Sequence, residues 1–151
     1  AYAKAQLAAG QRLPREGTAF ISVNDDDKAG VVQIAQDLAS LGFSLLATHG
    51  SAAYLRAHGL EVELVYKVNE GRPHIGDRLL NRDIHLVINT PLGRESFFDD
   101  RTLRRIATIL NVPCVTTLTG AAATVSAIRA LREEALDVRS LQEYHAEIGR
   151  S

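Results

Sequence analysis

The sequence predicts an α/β fold of three layers, a mostly five-stranded parallel sheet flanked by helices on both faces. From Thr18 onward, short apolar runs alternate with segments of helical period, which is the pattern of successive βαβ units. The run Ile84–Ile88 is almost continuously apolar, as in a strand that is covered on both faces. With 151 residues, of which 46% are hydrophobic, the chain can bury the core of one such domain.

Five strands are predicted from short apolar runs that turns and polar loops separate. They cover residues 18–23, 43–47, 62–66, 84–88 and 112–117. Residues 68–76 contain Gly71, Pro73 and Gly76, and we expect them to form a loop.

The predicted helices between these strands are amphipathic. The first has Asp25 or Asp26 as its cap and ends just before Gly42. Its buried face has the spacing i, i+3, i+4, i+7 and consists of Val31, Ile34, Ala35 and Leu38. A short helix over residues 51–58 stops at Gly59.

Two longer helical patterns follow in the second half of the chain. The first begins at a cap formed by Asp99 or Asp100, and its buried side consists of Leu103, Ile106, Ala107 and Leu110. The second follows the last strand, and its buried side consists of Thr124, Ala127, Ile128 and Leu131. Residues 140–148 are predicted as one more, separate short helix.

Composition narrows the classes of function. The net charge is −1 and the basic residues are scattered, so the sequence does not indicate a basic patch for binding DNA or RNA. No apolar run approaches the ~18 residues of a membrane span, and no signal-peptide pattern opens the chain. The single cysteine, Cys114, cannot form an intramolecular disulfide and favours a cytoplasmic setting.

The first residues suggest that the chain is a fragment of a longer protein. Residues 1–7 resemble the tail of a helix that has nothing to pack against, and the chain contains no methionine. We therefore interpret residues 1–17 as the tail of a preceding domain or linker, and residues 18–151 as the folded domain.

Polar residues gather where the predicted strands end. Ligands of an open parallel sheet bind beyond the carboxyl ends of its strands. The residues expected there are Ser22, Thr48-His49-Gly50-Ser51, Lys67, Asn89-Thr90 and Thr116-Thr117, with Lys28 close by in the first helical turn. Hydroxyls, two lysines, a carboxamide and a glycine turn at a helix start favour an anion, so the sequence predicts a phosphate or a phosphorylated ligand.

Each of these features also has a plain structural interpretation. The Thr48-to-Ser51 turn could serve only as a helix cap, and Lys28 could be a solvated charge, although a lysine opposes the dipole of a first turn. His49 is the nearest candidate base and is more typical of a hydrogen-bonded structural histidine. The sequence contains neither metal-ligand spacing nor a Walker A or G-x-G-x-x-G loop.

A second polar cluster lies in the predicted loop after the third strand. It consists of Glu70, Arg72, His74 and Asp77. We interpret it as a solvated loop followed by a helix cap.

Three segments closely resemble signatures of the C-terminal domain of carbamoyl-phosphate synthase large subunits. They are Thr48-His49-Gly50-Ser51, Lys67-Val68-Asn69-Glu70-Gly71-Arg72-Pro73-His74-Ile75 and Ile88-Asn89-Thr90-Pro91-Leu92-Gly93-Arg94. The resemblance runs from the Ala3-Lys4-Ala5 tail to Gln142-Glu143-Tyr144-His145. It implies a methylglyoxal-synthase-like fold for residues 18–151 and an allosteric role, not a catalytic one.

The resemblance also implies effectors and site residues. UMP would inhibit and IMP would activate the parent enzyme, which makes carbamoyl phosphate for arginine and pyrimidine synthesis. The residues that match effector-binding positions, mostly for the phosphate, are Ser22, Lys28, Thr48, His49, Gly50, Ser51, Lys67, Asn89 and Thr90. The domain itself would hold no cofactor, metal or catalytic residue.

The rest of the parent enzyme is implied in the same way. Its ATP sites, with Mg or Mn, would lie in other domains of the large subunit, which works with a glutaminase small subunit. Neither a nucleic acid nor a membrane is expected as a partner, and contacts between copies of the chain are left open.

The sequence departs from the family pattern at two places. Pro91 stands where some UMP-regulated members have another threonine, which removes one hydroxyl. Cys114-Val115-Thr116 stands where ornithine-activated members tend to have Tyr-Asp-Thr, so only Thr116 remains for an ornithine contact.

Three other interpretations stay open. A methylglyoxal synthase would share the fold but needs a carboxylate base, where this chain has Arg72-Pro73-His74-Ile75 and only Asp77 nearby. The related cyclohydrolase domain of purine synthesis has a longer loop that bears lysine and histidine, which this chain lacks. An oligomerisation domain with a vestigial phosphate site would have no ligand.

Overall fold

A computed structural model describes residues 13–14, 16–66, 74–91 and 97–150, with side-chain surroundings for all of these except 97–100 and 135–150. Five parallel strands form one sheet in the order β3-β2-β1-β4-β5. They are β1 (Thr18–Ser22), β2 (Ser44–Ala47), β3 (Glu63–Leu64), β4 (Leu86–Asn89) and β5 (Cys114–Val115). The predicted five-stranded parallel sheet is confirmed, although each strand is shorter than its apolar run.

In the part of the chain that the structure describes, five helices connect or follow the strands. They are α1 (Lys28–Ser40), α2 (His49–Ala57), α3 (Ile75–Leu80), α4 (Phe97–Ile109) and α5 (Leu118–Arg150). A 3-10 turn at Asp25–Asp27 precedes α1. None of the helices in the described ranges combines the length and the hydropathy that a bilayer span requires.

The helices cover the two faces of the sheet with two separate apolar cores. Helices α1, α2 and α5 bury Val31, Leu55 and Ile128 against Ala19, Ile21 and Ile88 on one face. On the other face, α3 and α4 bury Leu79 and Ala107 against Phe20, Leu46 and Val87. Alternate strand residues therefore enter alternate cores, as the two-residue period of a strand requires.

Two predicted helix starts were wrong because the caps lie elsewhere. Asn24 caps the 3-10 turn by accepting a 2.9 Å hydrogen bond from the Asp27 amide, so neither Asp25 nor Asp26 caps α1. Helix α4 begins at Phe97, which places Asp99 and Asp100 inside its first turn. Acidic residues are common both at the N-cap and in the first turn of a helix, because the helix dipole attracts negative charge to both positions.

Two predictions in the loops and at the end of the chain also need correction. Gly76 belongs to α3 and not to the predicted loop, of which residues 68–73 lie outside the described residues. Residues 140–148 are not a separate helix, because α5 runs without interruption from Leu118 to Arg150. No glycine or proline occurs between residues 121 and 148 to end it.

Candidate anion site at the carboxyl edge of the sheet

A row of three buried polar side chains crosses the carboxyl edge of the sheet. The register pairs Ile21 with Ala47 and Ser22 with Asn89, so Ser22 lies between Thr48 and Asn89 on neighbouring strands. In each strand the polar residue follows a large apolar residue by two positions. The pairs are Phe20 and Ser22, Leu46 and Thr48, and Val87 and Asn89. The three polar residues are only 2–4% exposed. The sheet thus changes from apolar to polar within one layer of side chains.

Hydrogen bonds join this row internally. Thr48 Oγ1 donates to Ser22 Oγ at 3.1 Å, and Asn89 Nδ2 donates to the Ser22 carbonyl at 3.4 Å. The Thr90 amide donates to the same carbonyl at 3.1 Å. The row is therefore held in place by both strands that flank β1.

Two further buried hydroxyls fix the segment that follows β1. Ser51 Oγ accepts a hydrogen bond from the Val23 amide at 3.1 Å, and Thr90 Oγ1 accepts one from the Asn24 amide at 3.0 Å. A hydroxyl has one donor and two acceptor positions. Because the oxygens of Ser22, Ser51 and Thr90 accept from the protein, their hydrogens can donate to a ligand. Several donors at one edge suit an anion.

The amino end of α2 adds backbone donors to this edge. Thr48 is the N-cap residue in extended conformation, but its side chain makes no capping hydrogen bond and donates instead to Ser22. The first amides of a helix have no intrahelical partner, and together with the helix dipole they attract anions. The interpretation of this turn as a side-chain cap alone is therefore wrong. His49 and Gly50 are exposed there.

Lys28 lies over the same helix start. A Cβ atom built on Gly50 would lie 3.6 Å from both Cε and Nζ of Lys28, which is an ordinary van der Waals contact and places the lysine side chain against the first turn of α2. The Lys28 side chain is only 17% exposed and pairs with Asp25 Oδ1. The hydrogen bond and the charge of Lys28 lower the pKa of Asp25 below its ordinary value. The ammonium group thus lies beside the start of α2, on a side chain that is mostly buried.

His74 and Ile75, which belong to the predicted loop, have a structural role. His74 Nδ1 accepts from the Asp77 amide at 3.3 Å, and Asp77 Oδ2 accepts from the His74 amide at 3.1 Å. This reciprocal capping box begins α3. The predicted helix cap is confirmed, and the Asp77 carboxylate is engaged in it. Glu70 and Arg72 lie outside the described residues.

The remaining predicted site residues divide into two groups. Thr116 directly follows β5, two strands away from Ser22 on the same edge, and is half-buried. Its neighbour Thr117 accepts from the Gly120 amide at 3.0 Å at the start of α5. Lys67 lies outside the described residues, so its place at the site stays a prediction.

One contributor to the site was missed by sequence reasoning. Asn24 caps the 3-10 turn, and its Nδ2 donates to the Pro91 carbonyl at 3.0 Å. It thereby ties the segment after β1 to the segment after β4. An asparagine three residues before Asp27 is a recognisable cap signal, which the neighbouring aspartates obscured. Within the described ranges, no group of three metal-ligating side chains occurs.

The sheet order and the helices on both faces define an open, three-layer α/β domain. More specifically, the model of the MGS-like domain family matches residues 30–116, and the chain belongs to that family. The fold is similar to that of a crystal structure of methylglyoxal synthase from Elizabethkingia anophelis NUHP1. The TM-score is 0.60 at 21% identity, over 76% of this chain and 80% of that one. At this identity the likeness shows the fold alone, which confirms the predicted architecture.

Curated relatives with higher identity are large chains of carbamoyl phosphate synthase. The chain is 47% identical to the one from Nostoc sp. over 95% of its own length. It is 49% identical to that from Mesorhizobium japonicum over 97%, and 47% identical to that from Synechocystis sp. over 95%. The chain spans only 12–13% of the length of these relatives. The predicted resemblance is confirmed.

Proposed function

We propose that this chain is the effector-binding regulatory domain of a carbamoyl phosphate synthase large chain. Its ligand would be a nucleoside monophosphate, UMP or IMP, with the phosphate at the carboxyl edge of the sheet. The carrying observation is the buried row Ser22–Thr48–Asn89, beside the start of α2 and the ammonium group of Lys28. Residues 1–17 would lead from a preceding domain, and residues 18–151 would be the regulatory domain.

The chemistry of the edge supports a phosphate over a neutral ligand. Hydroxyl hydrogens of Ser22, Ser51 and Thr90, the first amides of α2 and the Lys28 ammonium group are all donors. A phosphate monoester supplies three acceptor oxygens and up to two negative charges. Charged hydrogen bonds of this kind each contribute about 1.5–3 kcal/mol.

The same proposal assigns catalysis to other parts of the parent enzyme. ATP, with Mg or Mn, would bind there, and a glutaminase subunit would supply ammonia. UMP would lower and IMP would raise the activity of the parent enzyme.

The test is calorimetric titration of the 151-residue chain with UMP, IMP and uridine. Both nucleotides should bind with dissociation constants between about 1 μM and 1 mM, or roughly −8 to −4 kcal/mol. Uridine, which lacks the phosphate, should give no saturable heat over the same range. Absence of heat with both nucleotides at millimolar concentration would remove the proposal.

The chain should not convert dihydroxyacetone phosphate to methylglyoxal. Proton abstraction needs a free base beside the substrate carbon, and the carboxylate of Asp77 is engaged with the His74 amide. The segment Arg72–Ile75 contains no acid. Methylglyoxal release should equal that of a heat-killed sample, with a methylglyoxal synthase as positive control. Sustained release above that background would show that the chain is itself an enzyme.

Ornithine should bind much more weakly than UMP. A buried ammonium group needs an acidic partner. At β5 the chain has Val115 instead, which packs against the apolar core between the sheet and helices α1, α2 and α5. Thr116 can supply only a neutral acceptor. In a side-by-side titration, we expect at least about tenfold weaker binding, equal to 1.4 kcal/mol. Ornithine binding as tight as that of UMP would show that the site does not depend on this strand.

A further inference from the structure

Positive charge is concentrated at the start of α2. The Lys28 ammonium nitrogen lies 3.6 Å from the position of a Cβ on Gly50, in the first turn of that helix. The amino end of a helix carries roughly +0.5 elementary charge. Lys28 is also the first residue of α1, so its side chain extends from the start of one helix to the start of another. Burial of most of its side chain weakens solvent screening. Such an ammonium group needs a nearby anion.

Asp25 supplies that anion, but the two partners are held very differently. Lys28 is 17% exposed, whereas the Asp25 side chain is 94% exposed. The only ion pair or side-chain hydrogen bond of Asp25 within the described ranges is the one to Lys28. Turning the carboxylate into water therefore breaks one contact and uncovers no apolar surface. The lysine stays in place while its counter-ion can leave.

A phosphate can replace this carboxylate with more contacts. The Asp25 carboxylate reaches Lys28 alone, whereas a phosphate at the start of α2 could also accept from the helix amides and from the hydroxyls. Lys28 attracts both anions, but a phosphate that approaches the ammonium group is repelled by the Asp25 carboxylate. Binding of a phosphate therefore costs either this repulsion or the ion pair between Lys28 and Asp25, and that cost is subtracted from the free energy of binding.

We propose that Asp25 is an exchangeable counter-ion of the anion site, which competes with the phosphate of the ligand for Lys28 and raises the ligand concentration at which the site fills. This inference rests on the proposed function, since it assumes that the phosphate binds beside Lys28. It makes Asp25 an affinity-setting residue that does not itself hold the ligand.

The experiment is calorimetry at physiological ionic strength, with UMP and inorganic phosphate as separate probes. Asp25→Asn should bind both probes about three- to fivefold more tightly, because the variant has no carboxylate that competes for Lys28, and an exposed ion pair is weak. Asp26→Asn is the matched control, since it removes the same charge one residue away. Asp26 is exposed and makes no ion pair within the described ranges. It should change affinity by less than about 1.5-fold, because exposed charges are screened.

Two further variants separate competition from a general charge effect. Asp25→Glu keeps the carboxylate and should stay within about twofold of the wild type. In a Lys28→Ala background, Asp25→Asn should lose most of its gain, because the pair no longer exists. Melting temperatures of the exposed-site variants check that they are folded.

The other possible results distinguish a failure of the counter-ion inference from a failure of the proposed function. If the wild type binds UMP and Asp25→Asn binds it equally or more weakly, Asp25 does not compete for Lys28. The proposed function would be unaffected by that result. An equal gain in affinity in Asp25→Asn and Asp26→Asn would contradict the inference, because it would show that affinity depends on net charge and not on the pair between Lys28 and Asp25. Tighter phosphate binding by Asp25→Asn, with no UMP binding by any variant, would support the inference about Asp25. It would contradict the proposal that the ligand is a nucleotide. Absence of binding by either probe would remove both.

Discussion

Lys28→Ala is expected to weaken UMP binding roughly four- to fiftyfold while leaving the domain folded. A charged hydrogen bond to phosphate contributes about 1.5–3 kcal/mol, and the net loss is smaller because the variant has no ion pair with Asp25 to give up when the ligand binds. Lys28 is placed to make such a bond, with its ammonium group over the first turn of α2. Calorimetric titration of both chains with UMP measures the loss.

The control for this variant is a cation away from the edge. Arg105 is exposed in the second half of α4, and Arg105→Ala removes the same charge. Its effect on UMP affinity should remain below about twofold, because distant exposed charges are screened. Equal affinities of Lys28→Ala and the wild type would show that the phosphate does not reach this lysine.

Gly17→Ala is expected to lower the free energy of unfolding by about 2–4 kcal/mol. Gly17 has φ +129°, a conformation that L-residues rarely adopt, and its added Cβ would lie 2.3 Å from Nδ1 of His85. That nitrogen accepts a 3.1 Å hydrogen bond from the Thr18 amide at the start of β1. Alanine therefore strains the backbone and displaces the ring from this hydrogen bond. Urea denaturation measures the change.

Gly42→Ala provides the comparison that separates these two causes. Gly42 has φ +91°, but no atom lies within 4 Å of an added Cβ. The backbone strain alone should lower the free energy of unfolding by about 1–2 kcal/mol. If Gly42→Ala were as destabilising as Gly17→Ala, the contact with His85 would contribute nothing.

The sheet was predictable because each strand carries its own signal. A near-continuous apolar run such as Ile84–Ile88 has few alternatives to a strand covered on both faces. Helix boundaries were less predictable, because the preference of aspartate for a cap and for a first turn is nearly the same. The sequence therefore predicted Asp25 or Asp26 as one cap and Asp99 or Asp100 as the other. The continuity of α5 depends on the absence of a breaker, which a local pattern shows poorly.

Much of the candidate site followed from one topological rule. Parallel strands end at the same edge, so Ser22, Thr48 and Asn89 were expected together, and the register brings them together. Which hydroxyl accepts from which amide could not be predicted, because that depends on the path of the chain after β1. The roles of Asn24 and Asp25 depend on the same path. The contacts of both residues are defined only by the three-dimensional arrangement.

The most direct measurement of the central claim is an NMR titration that locates the ligand on the chain. Backbone amide resonances of residues 22–24 and 48–51 should shift progressively as UMP is added, because these amides line the carboxyl edge. Uridine at the same concentrations should leave them nearly unchanged, because it has no phosphate. UMP shifts at the amino ends of the strands instead, or equal shifts with uridine, would contradict a phosphate site at this edge.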